Sequence, residues 1–156
     1  MFEGSVAALF IAPTAHIAME PRDEVTVLDG LGIDGDRYAG GDGSFSSDKR
    51  SGRHVTLIES EAVAAVSAET GIALDASETR RNVVTSGVPL NHLVGRRFRV
   101  GEVVLEGKRL CEPCDSLEGA TRPGVRMALL HRGGLRADIV SGGMVRLGDT
   151  IVPVDD

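Results

Sequence analysis

Tryptophan is absent from this sequence, and four phenylalanines and one tyrosine are all the aromatic residues it has. A core must therefore be assembled from Val, Leu, Ile and Ala. Lysine is nearly absent too: Lys49 and Lys108 are the only two among 17 basic residues, and the rest are arginine. Cysteine occurs twice, at 111 and 114. That is too few for a disulfide framework, and with no export signal visible, free thiols in a reducing cytoplasm are expected. No apolar run approaches the ~20 residues that a bilayer demands. The stretch from Val6 to Ala12 has no basic flank before it and reads as a strand.

The charge leans acidic, with a net of −6. This argues against a general nucleic-acid binder, which needs a basic surface. Against that background the arginines stand out. A guanidinium grips phosphate or carboxylate with two parallel hydrogen bonds, so an arginine-lined pocket for a small anionic ligand is one reading. Codon usage in a GC-rich genome is the other.

The 156 residues match one ordinary domain, taken as 1–156. Twenty glycines imply many tight turns. Strands are expected over Ser5 to Ile11, with Ala15 to Ala18 continuing or pairing with it, and over Glu24 to Leu28. Others fall at His54 to Ile58, Arg81 to Thr85, Leu135 to Val140, Met144 to Leu147 and Thr150 to Val154. Arg97 to Val100 and Val103 to Leu110 form a hairpin about Gly101-Glu102. Helices are expected over Ser60 to Glu69, stopped by Gly71, and over Val125 to His131, stopped by Gly133-Gly134, with a short turn or helix near Leu90 to Val94. The glycine-rich stretch from Gly30 to Gly52 is too long to be idle in a compact chain. Many short strands and only two sizeable helices point to a mainly β protein, a closed or nearly closed β-barrel.

The sharpest local feature is Cys111-Glu112-Pro113-Cys114, followed by Asp115-Ser116-Leu117. A thioredoxin-like redox pair needs a long helix in a βαβ setting, which Gly119 and Pro123 interrupt. A zinc site needs about four ligands, and His16, His54, His92 and His131 are scattered. A single thiolate on a soft or high-valent metal is the third reading. Two reduced cysteines packed without chemistry is the fourth.

These residues do not stand alone. Gly35-Asp36-Arg37, Arg53 to Ile58, Arg80-Arg81-Asn82-Val83-Val84 with Gly87 and Leu90, the cysteine segment, and Arg132 to Ala137 with Gly142-Gly143 and Gly148-Asp149 occur in that order. In this the chain resembles the small MOSC proteins, named after the C-terminal domain of molybdenum cofactor sulfurase. The resemblance spans about residues 5 to 154 and implies a β-barrel of the MOSC or pyruvate-kinase-like type.

It further implies molybdenum cofactor (molybdopterin) as ligand, with the cysteine at position 114 on the metal and Cys111 as a neighbour tuning access. The cofactor's phosphate and pterin call for arginine forks and amides. Arg81 and Asn82 are the leading residues, and Arg80 and Arg81 should face opposite sides if both lie on a strand. Asp36 and Arg37 either pin the glycine-rich loop or reach the cofactor, and His54 stands at its mouth. His131 is read as meeting a helix end, with Arg132 and Arg136 near the pocket. The implied reaction is reduction of a small N-hydroxylated substrate, with electrons from an external donor protein and no nucleic acid or membrane involved. The alternative is a non-catalytic carrier of the cofactor or of persulfide sulfur, served by a separate cysteine desulfurase. A complete sulfurase is not expected, since no pyridoxal-phosphate motif surrounds Lys49 or Lys108.

Overall fold

The computed structural model describes residues 1–40 and 52–154. In chain order its elements are β1 (Gly4–Ile11), β2 (Glu20–Arg22), β3 (Glu24–Leu28), β4 (Gly32–Ile33), α1 (Arg37–Gly40), β5 (Val55–Glu59) and α2 (Ser60–Thr70). They continue with β6 (Val83–Ser86), β7 (Arg97–Val100), β8 (Val103–Leu110), α3 (Asp115–Ala120), α4 (Val125–Ala128), β9 (Leu135–Ser141), β10 (Gly143–Arg146) and β11 (Thr150–Pro153). Single 3₁₀ turns sit at Ala76–Thr79 and Leu90–Leu93.

Seven strands close into a barrel in the order β11-β7-β8-β9-β5-β6-β1, and β1 returns to β11 through Gly4↔Ile151 and Ser5↔Thr150. Strand β2 pairs antiparallel with the end of β1, while β10, β3 and β4 form a separate three-stranded sheet. All barrel pairs are antiparallel except β5 and β6, which α2 connects over the outside. A parallel pair requires such a crossover.

Alternation along the strands sorts residues between inside and outside. Along β7, Phe98 and Val100 are buried while Arg97 and Arg99 face solvent. The interior is filled by Phe98, Leu57, Leu135, Leu105, Ile151, Val6 and their neighbours, all aliphatic apart from Phe98. A second apolar cluster lies on the outside, where Val63 and Val66 of α2 and Leu117, Val125 and Leu129 cover Phe10, Ile58 and Val84. This is why all four residues from Val55 to Ile58 are buried.

Several expectations change. Residues Ala15 to Ala18 are not a strand: His16 adopts φ 67°, a left-handed conformation that breaks an extended chain. The strand forms at Glu20–Arg22 instead. The helix expected to reach His131 stops at Ala128, and His131 itself has φ 64°. The cysteine segment runs directly into α3, six residues long despite Gly119. Of the glycine-rich stretch, β4 and α1 are ordered elements, and residues 41–51 lie outside the described residues. Among the described residues no helix is long and apolar enough to cross a membrane.

Candidate functional site: an arginine-lined cleft

On the outer wall of the barrel, Thr56 of β5 stands opposite Arg136 of β9. Both project outward because their strand neighbours Val55, Leu57, Leu135 and Ala137 fill the interior. Ser116, Leu117 and Ala120 of α3 face them across a cleft of about 170 Å³ that opens to solvent. Arg80 and Arg81 line it ahead of β6, Arg37 and Tyr38 of α1 close one end, and His16 and Cys114 complete the wall. Four guanidiniums and one thiol thus share a single cavity in an acidic protein.

Asp36 and Arg37 pin the start of the glycine-rich segment. Oδ1 of Asp36 accepts the Ala12 N–H at 3.0 Å and also pairs with Arg37 Nη1 at 2.9 Å. Arg37 Nη2 donates to the Arg80 carbonyl at 3.1 Å, and its guanidinium lies 4.6 Å over the Tyr38 ring. Both charged side chains are almost fully buried, where paired groups are tolerated and lone ones are not. Arg37 therefore reaches the cleft while bracing it.

Arg80 and Arg81 both come to the cleft, and alternation does not separate them. Arg80 has φ 62° and precedes the strand, which begins only at Val83. Their engagements differ. Arg81 is 8 % exposed and donates Nε to Gly133 O at 2.8 Å, Nη1 to Thr79 O at 3.0 Å and Nη2 to Cys111 O at 2.9 Å. Arg80 donates Nη1 to Ile17 O, and its Nη2 is buried without a partner among the described residues. Burial, with the nearby Arg37 charge second, pushes the Arg80 guanidinium below its usual basicity. An acceptor of negative charge placed there would relieve both effects.

The two cysteines are unlike. Cys111 is 2 % exposed, and its N–H donates to Gly134 O at 2.8 Å. Cys114 is half-buried, lines the cleft and packs against the outer apolar cluster. A redox pair would need the first cysteine accessible, and here that one is enclosed. Among the described residues no three His, Cys, Asp or Glu side chains gather to hold a metal, so the zinc reading lacks ligands.

Asn82, His54 and Cys111 do not line the cleft. Asn82 is fully buried beside it: Oδ1 accepts from Thr56 N and Oγ1 at 3.2 and 3.1 Å, and Nδ2 donates to Phe10 O at 3.2 Å. It staples β1, β5 and β6 together. His54 Nδ1 accepts the Ile139 N–H at 3.2 Å and lies 3.6 Å from Asp138. Burial lowers its pKa, outweighing the opposing Asp138 charge. Arg132 turns away to Glu69 and Ala128 O, and His131 pairs with Glu112 at 2.7 Å. His16, Tyr38, Thr56 and Ser116 escaped the sequence reading. Only Thr56 carried a signal, as the polar residue between Val55 and Leu57.

The MOSC domain family model matches residues 35–152, and the chain belongs to that family. Solved structures agree on the fold. The YuaD protein of Bacillus subtilis is 20 % identical, with 97 % of each chain covered and a TM-score of 0.77. YiiM from Geobacillus stearothermophilus is 14 % identical over 97 % of this chain and 75 % of that one, with a TM-score of 0.74. YiiM from Escherichia coli is 18 % identical over 100 % and 71 %, with a TM-score of 0.67. The comparison with curated proteins returned no match. The MOSC family is associated with molybdenum cofactor.

Proposed function

We propose that the cleft binds molybdenum cofactor with Cys114 as the protein ligand to the metal, and that the chain reduces small N-hydroxylated compounds such as amidoximes or hydroxylamines. The observation that carries this is the convergence of Cys114 with Arg37, Arg80, Arg81 and Arg136 in one cavity. The donor set fits the group: a thiol for a soft metal site, and a buried, unpartnered Arg80 Nη2 for a phosphate. Ser116 and Tyr38 line the same cleft.

When bound, the cofactor supplies two-electron oxygen-transfer chemistry. The chain's own residues do the rest. Cys114 holds the metal in its thiolate form, Arg80 neutralises the anionic tail, and the Asp36–Arg37 pair keeps the end wall in place. Leu117 and Ala120 give the cleft an apolar side against which a substrate can shed water. Electrons come from a separate donor protein.

The test is metal analysis of protein purified without oxygen from a cofactor-producing host. Stoichiometric molybdenum in the wild type and in Cys111→Ser, with little or none in Cys114→Ser, is the expected result. Reduction of amidoximes with an artificial donor should follow the same pattern. The reverse cysteine pattern would overturn the ligand assignment. A persulfide on Cys111 or Cys114, seen by intact mass with no molybdenum, would replace this reading with that of a sulfur carrier.

A further inference from the structure

We infer that Arg81 is a positioning residue, a clamp on the backbone of the cysteine loop, and not one of the guanidiniums that grip the bound anion. This rests on the reading of Cys114 as the metal-binding residue of the cleft. Each of the three nitrogens of the Arg81 guanidinium donates to a backbone carbonyl, on Gly133, Thr79 and Cys111. Thr79 lies two residues before Arg81 on the same segment, whereas Cys111 follows β8 and Gly133 precedes β9, two strands already paired with each other. The Cys111 N–H is held in turn by Gly134 O, so residue 111 is gripped at both its donor and its acceptor. The fit leaves no slack. A Cβ on Gly133 would lie 2.5 Å from Cys111 O and 2.8 Å from the Pro113 ring. From the exposed side, Glu112 accepts both the N–H and the Nδ1–H of His131, and Asn91 ties down the His131 carbonyl. The loop from 111 to 114 is therefore fastened before Cys114 turns into the cleft. Arg80, one residue earlier, has the opposite character, with a guanidinium nitrogen buried and unpartnered. Of this adjacent pair, Arg81 builds the site and Arg80 reads the ligand.

The two roles separate by experiment, because a clamp controls how often Cys111 is exposed with or without a ligand, whereas an anion grip shows only in ligand retention. Cys111, enclosed in the folded protein, reports whether the loop is closed. Native-state alkylation by iodoacetamide, resolved by peptide mass, measures its rate of exposure in protein without cofactor. Arg81→Lys keeps the charge but loses the three-way geometry, and Arg81→Gln is neutral but keeps N–H donors. Both should raise Cys111 labelling roughly tenfold or more, the scale set by losing charge-assisted bonds to buried carbonyls. Arg80→Gln should leave it unchanged. Val100→Ala, which loosens the barrel far from the loop, controls for general destabilisation and should also leave it unchanged.

Wild-type protection of Cys111 in Arg81→Lys, together with lost molybdenum in that variant, would overturn the clamp and make Arg81 a ligand-binding residue. Raised labelling in Val100→Ala equal to that in Arg81→Lys would also overturn it. Raised labelling confined to the Arg81 variants, with no molybdenum even in the wild type, would uphold the clamp and sink the proposed cofactor function alone.

Discussion

The inside of the barrel and its outer wall at β5 and β9 are built from the same strands and obey opposite rules. Inside, Val55, Leu57, Leu135 and Ala137 belong to a cluster that contains no charged group. One residue along each strand, Thr56 and Arg136 open onto a cleft with four guanidiniums. The interior is stabilised by close packing, which is non-directional. The wall is stabilised by hydrogen bonds to buried carbonyls and carboxylates, which demand geometry. Period-two alternation lets one strand serve both, so stability and ligand chemistry can be altered separately.

The largest expected effect attacks the interior. Among the described residues Phe98 is the one fully buried ring of the interior cluster, and Phe98→Ala removes it. The substitution should cost about 3–5 kcal/mol in thermal or denaturant unfolding. A loss under about 1 kcal/mol would show that the interior tolerates voids, against the close-packed picture.

Asn82→Ala sharpens the comparison at the boundary. It leaves the buried Thr56 N–H and Phe10 carbonyl without their Asn82 partners, and should cost about 1–3 kcal/mol. Molybdenum retention in whatever folds should be preserved, since Asn82 does not line the cleft. Loss of metal at unchanged stability would mean that the amide turns into the cleft.

The smallest effect is a pH dependence at His54. Its folded-state pKa lies below the ordinary 6.5, chiefly through burial. The unfolded chain therefore takes up the proton first. Its contribution is at full strength above that value and is lost as pH falls from about 6.5 toward the folded-state pKa. Nδ1 already accepts the Ile139 N–H, a bond that protonation removes. His54→Gln should flatten that segment of the stability curve, and an unchanged curve would assign the pH dependence elsewhere.

Much of the scaffold was readable from residue order. The hairpin at Gly101-Glu102, the strand from Val55 and the stop of α2 at Gly71 follow from alternation and glycine geometry. Cys114 and the Asp36–Arg37 pair were also visible, in the Cys111-Glu112-Pro113-Cys114 and Gly35-Asp36-Arg37 motifs that carry the family resemblance. The division of labour between Arg80 and Arg81 was not. It turns on Arg80 having a left-handed backbone and on carbonyls 30 and 52 residues away from Arg81. His16 was hidden for a similar reason, since a positive φ in a non-glycine residue leaves no mark in composition.

The sequence alone determined a β-rich chain with an aliphatic interior, a family membership and a cysteine, Cys114, expected at the site, because these depend on residue type, short-range periodicity and the order of motifs. Only the tertiary structure decided which guanidiniums meet that cysteine and which are bound to the backbone. Those choices depend on carbonyl groups that every residue carries and that chain closure alone brings within 3 Å of a particular side chain.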